Sequence, residues 1–141
     1  MKKVLIATDK PFAPVAVKAM RKVVEAANYE LVLLERYKDK EQLLAAVKDV
    51  DALIMRSDII DTEVLDAANK LKIAVRAGAG YDNIDLDSAT SHQVCVMNTP
   101  GQNSNAVAEL AIGMLIYAMR NFYRGTSGLE LKGMKIGLLA Y

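Results

Sequence analysis

Five short, mainly apolar runs recur along this chain with one helical stretch between each pair: Val4 to Ala7, Glu30 to Leu34, Ala52 to Met55, Ile73 to Val75 and Val94 to Met97. Each is too short for a globular helix, and most lack the polar alternation of a half-exposed strand. Runs of this kind suit strands buried on both faces, and their alternation with helices gives an α/β fold with a parallel sheet covered on both sides. Right-handed crossovers then leave a flavodoxin-like, doubly wound, five-stranded sheet as the simplest topology. The intervening helices carry their own signals. Asp9 followed by Pro11 predicts a helix to about Ala27, and Lys40 to Lys48 reads as a short amphipathic helix. Asp61 is an N-cap for a helix through Asn69, and Asp85 for one ending at Ser91.

Composition closes off several classes. The 18 basic side chains face 17 acidic ones, a formal charge of +1 with no block of like charge, so nothing points to nucleic acid or an acidic lipid surface. The longest apolar block, Leu110 to Met119, is about half the ~20 residues a membrane span needs. The first apolar run stops at Asp9 without a small-residue cleavage pattern, which makes it a strand rather than a leader. The single cysteine, Cys95, rules out an internal disulfide and reads as a small core side chain. A soluble chain in the reducing cytoplasm is expected. No metal-ligand spacing is present, His92 has no evident partner and is expected on the surface, and Tyr117, Phe122 and Tyr123 read as packing residues.

Beyond the fifth strand the pattern changes. Asn103 to about Arg124 predicts a helix about 30 Å long. Between Ala106 and Met119 only Glu109 is charged, so this helix should be buried on several sides. Gly125 and Gly128 then loosen the chain, Leu131-Lys132-Gly133 reads as a turn, and Met134 to Ala140 reads as one more buried strand.

Open parallel sheets collect ligands beyond the carboxyl ends of their strands. Three stretches fall there: "MRSD" (Met55 to Asp58), "RAGAGYDNID" (Arg76 to Asp85) and "NTPGQNSNAVAE" (Asn98 to Glu109). The first supplies a guanidinium and a hydroxyl. The second has Gly78 and Gly80, whose backbone can admit positive φ and a close ligand approach, giving a small anion nest. The third runs into a helix start with its free N–H groups. Each signal alone is weak; Arg56 alone reads as a surface ion-pair partner and Asn103 as a cap. Their convergence on one crevice suits a small carboxylate or phosphate.

The segments "RAGAGYDNIDLDSAT" and "NTPGQNSNAVAE", with "MRS" before them and "LKGMKIGLLAY" after, resemble the signature segments of the D-isomer-specific 2-hydroxyacid dehydrogenases across essentially the whole chain. The resemblance implies a substrate-binding domain over residues 1–100, a long crossover and dimerisation helix with its linker over 101–130, and the start of a truncated NAD-binding Rossmann domain at 131–141. It implies oxidation of the D-2-hydroxyl of a small 2-hydroxy acid such as 3-phosphoglycerate, on the route to serine, with NAD as cofactor. Arg56, Ser57, Ala79, Gly80 and Asn103 would meet the substrate, and Ala79 and Val107 the cofactor. No catalytic residue would lie in this chain, because the family's Arg, Glu and His come from the later domain, and the piece alone would be inactive. The helix from Asn103 to Arg124 would form a homodimer. "RSDIID" departs from the pattern by placing Asp58 and Asp61 where another basic residue is common, which leaves Arg56 with Lys38 or Lys40 to meet a phosphate. Two alternatives stand beside this reading. One is an unphosphorylated substrate of the glycerate or glyoxylate/hydroxypyruvate type. The other is a non-enzymatic regulatory module of the receiver kind, which would need an Asp after strand three and a Lys after strand five where this chain has Arg56-Ser57 and Asn98-Thr99.

Overall fold

In chain order the elements are β1 (Lys3–Thr8), α1 (Pro14–Ala26), β2 (Glu30–Glu35), α2 (Lys40–Val47), β3 (Ala52–Met55), α3 (Thr62–Ala67), β4 (Ile73–Arg76), α4 (Leu86–Ser91), β5 (Cys95–Met97) and α5 (Ser104–Met119). The computed structural model describes residues 1–139 and falls into two units, residues 1–102 and residues 103 onward.

In the first unit all five strands are parallel in the order β2-β1-β3-β4-β5. This is the doubly wound order expected from the sequence, with its switch point between β1 and β3. Alternation along the strands sorts the core into two layers. Leu5, Ala7, Leu53, Met55 and Ala74 meet Leu43 and Val47 of α2, Val64 and Leu65 of α3 and Ala89 of α4. On the other face Val4, Ile6 and Leu31 meet Val24 of α1, with Phe12, Met20 and Ile54 packed alongside. Full burial of each large side chain contributes about 1.5–3 kcal/mol. Asp61 and Asp85 cap α3 and α4 as expected, accepting the N–H of Val64 (3.2 Å) and Ser88 (2.9 Å).

Several expectations are corrected. Helix α1 starts at Pro14, not near Asp9. Residues 9–11 are instead held to the end of β3: the Asp9 N–H donates to Asp58, and the Lys10 and Pro11 carbonyls accept from Arg56. Cys95 is exposed, not a core residue. It lies on the edge strand, and the register Val4↔Ala52, Ala52↔Ile73, Ile73↔Cys95 places it on the α1 face. The α1 layer stops at β3, so β4 and β5 go uncovered by it.

In the second unit α5 ends at Met119 rather than Arg124, a length of about 24 Å. Asn121 and Phe122 take left-handed backbone (φ 52° and 56°), and the Leu129 N–H returns to the Met119 carbonyl at 2.8 Å. Gly128 therefore serves close packing rather than looseness: a Cβ there would lie 2.6 Å from Arg120 Cα. Tyr117 and Phe122 pack edge to face at 5.4 Å. No residue of α5 is buried, and Leu110, Ile112, Met114 and Ile116 are open. The turn at Leu131 is present, with the Met134 N–H on the Leu131 carbonyl at 3.0 Å. The residues that follow are not a strand through Leu139, because a strand exists only where a neighbour pairs with it; Ala140 lies outside the described residues. Among the described residues no helix is long and apolar enough to cross a membrane.

Candidate functional site

The carboxyl ends of β1, β3, β4 and β5 are laced into one edge. Pairing carries β3 and β4 in register to Met55↔Arg76, and the Ala77 N–H extends it to the Met55 carbonyl at 2.8 Å. The Thr99 N–H donates to the Gly78 carbonyl at 2.9 Å and Asn98 Nδ2 to the Ala79 carbonyl at 2.7 Å, which ties the loop after β5 to the loop after β4. The bridge Ile60↔Ile84 joins the loops after β3 and β4 further out.

Arg56 sits at the end of β3. Its Nη1 donates to the carbonyls of Lys10 (3.3 Å) and Pro11 (3.2 Å), and its guanidinium stands 5.5 Å from the centre of the Phe12 ring. Arg76, at the end of β4, donates from Nε to the Arg56 carbonyl at 2.9 Å. Its guanidinium then lies over Gly78, where a Cβ would be 1.6 Å from Nη1. Gly78 and Gly80 are not in the left-handed region, contrary to the reason given for them above. Gly78 is required by the close approach of Arg76. Among the described residues neither arginine pairs with a carboxylate. Their partners are neutral carbonyls, so neither guanidinium is ion-paired at the strand ends.

Beside them, the N–H groups of Ala79 and Gly80 meet no acceptor among the described residues. Ala79 is half-buried and Gly80 exposed. Two adjacent amides without acceptors, and two guanidinium groups without carboxylate partners at neighbouring strand ends, are donor types that suit a small carboxylate.

Ser57 is exposed and lines a cleft of about 490 Å³ with Asp9, Tyr37, Lys40, Asp58 and Asp61. Lys40 does not offer a free charge there. It is bound to Asp61 at 2.6 Å and Glu63 at 2.5 Å; hydrogen bonds to both carboxylates raise its pKa, and that from Lys40 lowers the pKa of Asp61. Asp58 is buried, as sequence reasoning missed. Its Oδ1 accepts from Tyr37 Oη (2.6 Å) and the Asp9 N–H (2.9 Å), and its Oδ2 from the Arg56 N–H (3.3 Å). Burial, and then the bond to Asp58, push the Tyr37 hydroxyl well above the ordinary tyrosine range. Asn83 Nδ2 donates to the carbonyls of Asp58 (2.8 Å) and Arg56 (3.4 Å). Arg76, Asn83 and Asn98 stood inside the quoted segments without being assigned a role; only their tertiary bonds single them out.

Asn103 and Val107 belong to the second unit. Asn103 precedes α5 without a side-chain cap bond, so its amide is not occupied as a cap, and Val107 is exposed on the first turn. His92 is on the surface as expected but has a partner the sequence did not reveal: Nε2 lies 2.9 Å from Asp66 Oδ1, and Nδ1 lies 2.8 Å from the Ser88 carbonyl.

Comparison with known proteins gives a consistent picture. The model of one family, "D-isomer specific 2-hydroxyacid dehydrogenase, catalytic domain", matches residues 4–134. D-3-phosphoglycerate dehydrogenase of Mycobacterium tuberculosis (strain ATCC 25618 / H37Rv) is 51% identical over 83 residues, covering 58% of this chain and 16% of its own length. The rat (Rattus norvegicus) D-3-phosphoglycerate dehydrogenase is 37% identical over 133 residues, covering 84% of this chain and 25% of its own length. The crystal structure of NAD+-bound 3-phosphoglycerate dehydrogenase from Entamoeba histolytica superposes with a TM-score of 0.90 at 50% identity, over 93% of this chain and 43% of that one. TT0316 protein from Thermus thermophilus follows with a TM-score of 0.78 at 26% identity, over 93% and 46%. This chain thus spans a quarter or less of those curated relatives and under half of those solved chains.

Proposed function

The chain belongs to the D-isomer specific 2-hydroxyacid dehydrogenase family, and from that premise we propose that it is the substrate-binding part of an NAD-dependent dehydrogenase that oxidises 3-phospho-D-glycerate to the 2-oxo acid. One observation carries the reading: Arg56 and Arg76 lack carboxylate partners, and beside them the Ala79 and Gly80 amides lack acceptors, among the described residues. The amides take the substrate carboxylate, and the two guanidinium groups supply the fixed positive field that orients it. Ser57 offers a hydroxyl to the rest of the substrate, and Asn103 is assigned a substrate contact on the family resemblance alone.

NAD, when bound, supplies the hydride acceptor. Ala79 and Gly80 suit the approach of a flat ring, since neither carries a side chain larger than a methyl group, whereas Gly78 beside them is covered by the Arg76 guanidinium. Ala79 and, on α5, Val107 are the residues assigned to that contact. The proton-handling groups are assigned to a domain beyond residue 131, so these 141 residues alone are expected to be inactive. The apolar flank of α5 is assigned to a homodimer, which sedimentation would detect.

A second reading, a 2-hydroxy acid without a phosphate, is favoured by the cleft beside Ser57: Asp9, Asp58 and Asp61 line it, and Lys40 is already engaged. Amide NMR of the chain titrated with 3-phospho-D-glycerate, and separately with D-glycerate, tests both. Saturable shifts at Ala79 and Gly80 that are lost in Arg56→Ala and Arg76→Ala support a carboxylate site, and the tighter ligand chooses the substrate. No shift with either ligand refutes it.

A further inference from the structure

We infer that Asp58 is a positioning residue for Arg56. The inference rests on the carboxylate-binding role proposed for that arginine. Asp58 is 5% exposed and has no cation bound to it among the described residues. A carboxylate buried in this way is retained only when donors satisfy it. Three do, and each comes from a different segment: the Asp9 N–H from the end of β1, the Tyr37 hydroxyl from the β2–α2 connection, and the Arg56 N–H from the end of β3. The two oxygens divide the work. Oδ1 joins the first two segments at 2.9 and 2.6 Å, and Oδ2 closes a tight turn onto the Arg56 backbone at 3.3 Å.

The same segments aim the Arg56 side chain. Its Nη1 is held by the carbonyls of Lys10 and Pro11, the residues that directly follow Asp9. Asp58 therefore fixes the arginine from both ends: its backbone directly, and its guanidinium through the loop that the Asp9 N–H anchors. Asn83, which donates to the carbonyls of Asp58 and Arg56, adds the loop after β4 to the same assembly. Asp58 acts through Arg56 and touches no ligand in this scheme, and the Tyr37 hydroxyl holds it in place.

The test uses the whole chain, with Asp58→Asn as the principal variant and Tyr37→Phe as the milder one, since it removes one of three donors. Two measurements decide. The first needs no ligand: amide hydrogen exchange at Asp9 and Arg56 should accelerate in Asp58→Asn and, less strongly, in Tyr37→Phe, with the central strand amides unchanged. The second is a double-mutant cycle with D-glycerate as probe, read at the Ala79 and Gly80 amides. Asp58→Asn should weaken the probe about tenfold. In an Arg56→Ala background it should have no further effect, because a residue acting through Arg56 has nothing left to act on. Unchanged exchange at Asp9 and Arg56 would overturn the inference, and so would a full tenfold loss persisting without Arg56. If the wild-type chain does not take up D-glycerate, the substrate reading of the site fails, and the exchange measurement still decides whether Asp58 organises the turn. If Asp58→Asn does not fold, Tyr37→Phe carries both measurements, with about a threefold loss of affinity expected.

Discussion

Gly78→Ala probes the strand-end site at its tightest point. The backbone at Gly78 is outside the left-handed region, so alanine is admissible there on conformational grounds. In a protein without Arg76 the change would even help, by about 0.5–1 kcal/mol, through the restricted unfolded chain. What opposes it is the Arg76 guanidinium, whose Nη1 and Cζ would lie 1.6 and 2.3 Å from the new methyl carbon. The side chain must swing away, and its bond from Nε to the Arg56 carbonyl at 2.9 Å goes with it. Hydrogen bonds from a charged donor contribute about 1.5–3 kcal/mol, and the lower end applies because Arg76 is half-exposed and water replaces the lost partner. The two contributions leave a net destabilisation of about 0.5–1 kcal/mol, a fall in Tm of roughly 2–4 °C for a chain this size. The decisive measurement is a thermal or urea unfolding cycle over wild type, Gly78→Ala, Arg76→Ala and the double variant. The sign should reverse: alanine destabilises when Arg76 is present and is neutral or stabilising when it is absent. A loss of equal size in both backgrounds would refute the reasoning and move the constraint from the guanidinium to the backbone.

Arg56→Lys keeps the charge but loses the planar group that reaches two carbonyls and stacks on Phe12. Its cost in stability should be under ~1 kcal/mol, while D-glycerate binding read at the Gly80 amide should fall about as far as in Arg56→Ala; wild-type affinity would show that charge alone suffices. His92 faces acceptors at both ring nitrogens, the Ser88 carbonyl and then the Asp66 carboxylate, and its pKa lies above the usual 6.5. The stabilisation is complete below pH 6.5 and is lost as pH rises through the folded value. His92→Gln should therefore lower Tm at about pH 5.5 and match wild type at about pH 8.5; an equal gap at both would refute the linkage. Leu53→Ala, at a fully buried position on the central strand β3, should cost about 2–5 kcal/mol in urea unfolding, and a loss under ~1 kcal/mol would show that this layer repacks.

The sheet was legible because its information is local. Ala52 to Met55 is apolar at consecutive positions, and the caps Asp61 and Asp85 stand immediately before their helices, so strand and helix signals needed no partner to be read. Errors came where a tertiary contact overrode a local sign. Asp9 and Pro11 form a plausible helix start by themselves, but their segment is recruited by Asp58 and Arg56, residues more than forty positions away. Cys95 sits in an apolar run, yet its exposure depends on strand order and on how far the α1 layer reaches, neither of which the run encodes. The site was half legible for the same reason. As candidates, Arg56 and Gly80 stand out by position after strand ends and Ala79 only through the family resemblance, whereas Asp58 reads as a missing cation until its three donors are seen.

Those donors bear on how the edge holds two arginines without giving either a carboxylate partner. A carboxylate partner would fix a guanidinium most strongly, but it would also cancel the charge on which the proposed carboxylate site relies. Here the arginines are held by carbonyls, at Lys10 and Pro11 for Arg56 and at Arg56 itself for Arg76. The one buried carboxylate nearby spends its acceptor capacity on two backbone N–H groups and a phenol. Position and charge are thus supplied by different groups. The separation has a consequence for substitution: Tyr37→Phe or Asn83→Ala, which alter neutral side chains of the assembly, should loosen the arginines while leaving the net charge of the edge unchanged. Affinity for a small carboxylate should then fall without a matching change in its dependence on salt, whereas removing either arginine should change both.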